Sequence, residues 1–114
     1  MPDLGTMLGV WAHPDDETYL MAGLMAEAAA RGDRVVCVTA TRGEAGSQDH
    51  VRWPPERMAE VREKELAACL SVLGVKEHHW LDYVDGTCDE VPHEEAALKL
   101  GDIFDDVRPS GVLT

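Results

Sequence analysis

The chain has 114 residues, 45% of them hydrophobic, with 22 acidic against 10 basic residues and a formal net charge of −12. That length suits one modest domain with its own core, and so acidic a surface repels phosphate backbones, which argues against a nucleic-acid partner. No apolar run is long enough to span a bilayer and the N-terminus lacks a basic-then-apolar leader, so a soluble cytoplasmic protein is expected.

The elements follow in order. "TMLGVWA" (6–12) reads as a short buried strand and "ETYLMAGLMAEAAARG" (17–32) as a helix closed by Gly32. "RVVCVTA" (34–40) is a β-branched run of strand length. A polar loop, "TRGEAGSQDHVRW" (41–53), leads to a helix over 54–74 with prolines in its first turn and Gly74 at its end. "KEHHWLDY" (76–83) reads as a third strand, "VDGTCDEV" (84–91) as a loop, 92–107 as a third helix, and "SGVLT" (110–114) as the start of a fourth strand. Such alternation predicts right-handed βαβ units: a Rossmann-like parallel α/β sheet with helices on both faces and strand order 3-2-1-4. The sequence stops inside an apolar, strand-like run, so residues 1–114 are expected to form a single domain that is incomplete at its C-terminus. An unfinished edge strand would favour association into a homo-oligomer. Cys37, Cys69 and Cys88 are an odd set with no CxxC pair and read as reduced thiols.

In such sheets ligands collect outside the carboxyl ends of the strands. "AHPDDE" (12–17) and "TRGEAGS" (41–47) both lie there. His13 and Asp16 are three apart across a proline-started turn, so both can face one ion, and imidazole nitrogen with carboxylate oxygen is a zinc donor set. Asp15 then points elsewhere, free to act as general base toward a water that zinc has acidified to a pKa of about 7. Acids before a helix are also ordinary N-caps, and that reading stays open at this point.

The second helix carries an anomaly. Met58, Val61, Cys69, Val72 and Leu73 read as its apolar side, with Arg62 and Glu65 in the middle of it. Charges there are expensive unless paired. The two could pair with each other, or Arg62 could border the cleft and bind an oxygen-rich substrate. Gly43 and Gly46 suit a tight loop beside the "AHPDDE" turn but make no phosphate-loop signature. Asp85–Gly86 reads as a turn, from which Asp85 could also accept hydrogen bonds from sugar hydroxyls.

Taken together, these segments resemble the LmbE-like, or PIG-L, zinc-dependent N-acetylglucosaminyl deacetylases. The resemblance rests on "AHPDDE", "TRGEAG" (41–46), "REKELAACLSVLG" (62–74), "DG" (85–86) and "RPSGVLT" (108–114), in that order. It implies hydrolysis of an N-acetyl or related amide on a glucosamine-type sugar conjugate. His13 and Asp16 would bind Zn2+, Asp15 would be the base, Arg62 and Asp85 would contact the sugar, and Glu44 with its flanking glycines would shape the cleft. The family's third zinc ligand is a histidine of an HPDH-like motif after the fourth strand, past Thr114. Of the other histidines, His50 is the one in a loop at the correct edge, His78 and His79 start a strand, and His93 opens a helix. A non-catalytic sugar- or metal-binding module with the same fold is the first alternative. A nucleotide-binding domain ranks last, because "HPDDE" would repel phosphate.

Overall fold

The computed structural model describes residues 5–114, apart from the side chains of residues 17–20. Strands β1 (Met7–Trp11), β2 (Val35–Thr39), β3 (Glu77–Trp80) and β4 (Gly111–Leu113) alternate with helices α1 (Asp16–Ala30), α2 (Pro55–Leu73) and α3 (His93–Val107). The strands form one parallel sheet in the order β3-β2-β1-β4, as the alternation predicts.

The inner strands read as continuous apolar runs because both of their faces are covered. Met7 and Trp11 of β1 and Val35 and Cys37 of β2 turn to one side, against Met25 and Ala28 of α1 and Leu66 and Leu70 of α2. Leu8, Val36 and Val38 turn to the other, with Val107 and the half-buried Leu100, Ile103 and Phe104 of α3. Cys37 fills a core position, its Sγ 3.6 Å from Met25 Sδ, whereas Cys88 is exposed.

Two expectations need correction. The third strand is shorter than 76–83. Its ladder with β2 spans Glu77–Trp80, and Asp82 then takes a left-handed backbone (φ 62°) that a continuing strand cannot contain. Leu81 and Tyr83 still donate to Thr39 and Ala40 carbonyls, so the segment stays tied to β2 while turning toward the cleft.

The buried stripe of α2 is also rotated from the expected one. Leu66 and Leu70 carry it, while Val72 is 87% exposed and Glu65 is exposed. At about 100° per residue Leu66 and Leu70 lie roughly 40° apart, and Val72 falls about 200° beyond Leu70. Arg62 lies in line with Leu66 and Leu70, one turn earlier, so its anomalous position is real even though the face was misplaced. In urea denaturation Leu70→Ala is expected to cost about 2–5 kcal/mol and Val72→Ala less than about 0.5 kcal/mol. Equal costs would restore Val72 to the core face.

Candidate active site

The carboxyl edge of the sheet is assembled from three loops and one helix. β1 runs directly into His13-Pro14-Asp15-Asp16. Pro14 is fully buried and anchors the turn. Asp15 takes a left-handed conformation (φ 85°, ψ −20°) at the N-cap position of α1, yet its carboxylate makes no cap hydrogen bond. Asp16 Oδ2 instead accepts the His13 backbone N–H at 3.1 Å, closing the turn ahead of the helix. The ordinary N-cap hydrogen bond therefore accounts for neither carboxylate.

The loop after β2 is stitched to this turn by Thr41. Its backbone N–H and its hydroxyl both donate to the Ala12 carbonyl, at 3.0 and 3.2 Å, and its hydroxyl oxygen accepts Gly43 N–H at 3.1 Å. Gly43 then adopts φ 68°, which glycine reaches without strain, and lies beside His13 and Arg62. From Glu44 the chain makes a short 3-10 turn, Glu44–Gly46.

Arg62 reaches across from α2. Its Nη1 donates to Asp15 Oδ2 at 2.9 Å and its Nη2 to the Pro14 carbonyl at 2.7 Å. Of the two alternatives for Arg62, a pair with Glu65 three residues along the same helix and a place at the border of the cleft, the second is the one found. The partner found is an acid 47 positions away, because the helix face points Arg62 into the cleft rather than along its own surface.

Asp85 arrives in the turn after β3, closed by Thr87 N–H to the Val84 carbonyl, with Gly86 at φ 86°. Its Oδ1 lies 3.0 Å from His13 Nε2 and its Oδ2 accepts Ala45 N–H at 3.0 Å. Its own backbone N–H donates to Glu44 Oε1 at 2.7 Å. That link from Glu44 had no signal in the sequence beyond Glu44's place in the "TRGEAG" loop.

His13, Pro14, Asp15, Asp16, Gly43, Gly46, Arg62 and Asp85 line one cavity of about 420 Å³. All five residues singled out from the sequence for catalysis, metal and substrate are among them. The other histidines are elsewhere. His50, His79 and His93 are exposed. His78 is half-buried, within 2.8 Å of the Thr39 hydroxyl and edge-on to Trp80. Burial, followed by the neighbouring His79 and Arg42 charges, pushes its pKa down to about 4, so it is a neutral structural side chain at neutral pH. Among the described residues no group of three or more His, Cys, Asp or Glu side chains is placed to share a metal ion. Arg42, which sequence reasoning passed over, ties α2 to β3 and the segment after it. It pairs with Glu63 at 3.1 Å and Asp82 at 2.7 Å and stacks 4.3 Å over the Trp80 ring.

Comparison with known proteins bears on this edge of the sheet as a whole. Residues 8–114 match the family described as PIG-L, GlcNAc-PI de-N-acetylase. A 1D-myo-inositol 2-acetamido-2-deoxy-alpha-D-glucopyranoside deacetylase of Kineococcus radiotolerans is 34% identical over 95% of this chain and 38% of its own length. A mycothiol S-conjugate amidase of Streptomyces coelicolor is 35% identical over 90% of this chain and 38% of its own. Among solved structures, the N,N'-diacetylchitobiose deacetylase of Pyrococcus horikoshii superposes with a TM-score of 0.85 at 32% identity, covering 96% of this chain and 40% of that one. The chain spans less than half the length of these relatives.

Proposed function

Since this chain belongs to the PIG-L family of GlcNAc-PI de-N-acetylases, we propose that it forms the part of a zinc-dependent amide hydrolase that removes an N-acetyl or related acyl group from a glucosamine-type sugar conjugate. The observation that carries this reading is the convergence of His13, Asp15, Asp16, Arg62 and Asp85 on one cavity at the carboxyl edge of the sheet. The relatives named above are by their own descriptions a 2-acetamido-2-deoxy-glucopyranoside deacetylase, a mycothiol S-conjugate amidase and an N,N'-diacetylchitobiose deacetylase, which supports this reading.

The donor set fits zinc in type. His13 offers an imidazole nitrogen and Asp16 a carboxylate, side by side on the cavity wall. In this reading the third donor is the histidine that the family resemblance puts after the fourth strand. Bound zinc supplies Lewis-acid polarisation of the amide carbonyl and acidifies a water molecule. Asp15 carries the proton traffic. Its side chain is 61% exposed, so an attacking water can reach it, and the proton it takes goes on to the departing amine. Water adds to the carbonyl carbon, the C–N bond breaks, and a carboxylate and a free amine leave. Arg62 and Asp85 face the same space and orient the sugar hydroxyls. Asp85 uses the lone pairs that His13 and Ala45 leave open.

Among the described residues no helix is long and apolar enough to cross a membrane, and a small-molecule amino-sugar conjugate is the proposed partner. A reducing cytoplasm suits the three-cysteine composition, and a homo-oligomer remains part of the reading. One observation favours the non-catalytic alternative: among the described residues no three His, Cys, Asp or Glu side chains are placed to share a metal ion. Amine release from an N-acetylglucosaminyl-inositol conjugate, measured alongside zinc per chain, separates the two. The expected result is close to one zinc per chain, with turnover abolished by a chelator and restored by zinc. Zinc bound without turnover on any N-acetylglucosamine conjugate would leave the binding module.

A further inference from the structure

Asp85 was expected to serve the sugar, yet its hydrogen bonds point first at the protein. With 14% of its side chain exposed, it engages both carboxylate oxygens, one with His13 Nε2 and one with Ala45 N–H. An ionised carboxylate only accepts, so the imidazole must donate from Nε2. That selects one tautomer and leaves the Nδ1 lone pair as the ring's single ligand atom. Asp85 is itself held in place from the other side, by Glu44 Oε1 on its backbone N–H at 2.7 Å.

We infer that Glu44 and Asp85 form a two-step positioning device for His13: Glu44 fixes the Asp85 turn, and Asp85 fixes the tautomer and plane of the histidine. The inference rests on the reading of His13 as a metal ligand and deepens it, since ligating histidines are oriented by the partner of their second nitrogen. Glu44 Oε2 is a buried oxygen with no hydrogen-bond partner among the described residues. A glutamate so placed is costly for stability alone. Costs of that kind concentrate where function sets the residue. What the Asp85 N–H requires is an acceptor at the end of a side chain of this length. Glutamine supplies that acceptor. Aspartate keeps the charge but is one methylene short.

The test compares Glu44→Gln, Glu44→Asp, Glu44→Ala and Asp85→Asn with the unmodified protein. The two readouts are the His13 tautomer, by 15N NMR of the zinc-free protein at about pH 8, above the ordinary imidazole range, and zinc affinity by chelator competition. The Nε2–H tautomer should dominate in the unmodified protein and in E44Q, and mix with the other form in E44D, E44A and D85N. Zinc affinity should fall about 10–100-fold in those last three and stay near the unmodified value in E44Q. If E44A keeps both the tautomer and the affinity, Glu44 has no positioning role. If E44Q fails as E44A does, charge rather than reach is what matters, and the inference is equally overturned. A different outcome strikes the underlying reading instead. An unmodified protein without measurable zinc affinity, whose His13 tautomer still depends on Glu44, would keep the positioning device and remove the metal.

Discussion

Asp15→Asn is expected to lower kcat by about 10²–10⁴-fold, the usual contribution of a positioned general base, with zinc affinity and thermal stability close to the unmodified protein. The backbone explains why stability should hold. Asp15 has φ 85°, in the left-handed region that asparagine tolerates better than most residues. The amide also keeps an oxygen for Arg62 Nη1, which lies 2.9 Å from Asp15 Oδ2. What the substitution removes is the capacity to take a proton. Steady-state turnover, chelator-competition zinc titration and a melting curve together decide the point. Wild-type-like turnover would take Asp15 out of the base role. A matching loss of zinc would make it a ligand instead.

Arg62→Ala should be the second most damaging change, lowering kcat/KM on the order of 10²-fold, the scale of a small misplacement of catalytic groups. KM should rise while zinc affinity changes far less. The guanidinium makes two short hydrogen bonds at once, to Asp15 Oδ2 and to the carbonyl of buried Pro14. Removing it leaves that carbonyl unpaired and releases a turn held in an uncommon conformation. Arg62→Lys should rescue little, because a point-like ammonium cannot reproduce a planar fork spanning two acceptors. Loss of metal with an unchanged KM would recast Arg62 as a structural clamp of the "HPDD" turn.

Much of this was legible in the chain. β1 and β2 are largely apolar runs, as strands covered on both faces must be, and the helix that follows β2 has clear ends, with Pro55 at the start of α2 and Gly74 (φ 81°) at its close. Alternation with helical crossovers leaves few topologies, and the order β3-β2-β1-β4 is one of them. Since ligands gather at the carboxyl ends of such strands, the segments "AHPDDE" and "TRGEAGS" mark the site from the sequence alone.

The failures share a cause. The apolar side of α2 was misplaced because Val72 is hydrophobic yet exposed, and an isolated surface valine carries no local mark of its position. The Glu65 alternative for Arg62 arises because i,i+3 neighbours are the pairs that local spacing reveals. Its actual partner is 47 residues away, the Glu44–Asp85 bond spans 41, and the His13–Asp85 contact spans 72.

By itself, then, the sequence determined the alternating elements, the parallel sheet and the residue types waiting at its edge, because hydrophobic period, turn chemistry and chain connectivity are local properties. Only the tertiary structure decided which carboxylate serves which partner: Asp15 the arginine, Asp16 the backbone of the turn, Asp85 the histidine. Those choices depend on differences of about an ångström in hydrogen-bond length between loops far apart in the chain, a quantity that packing of the whole sheet sets and no local spacing encodes.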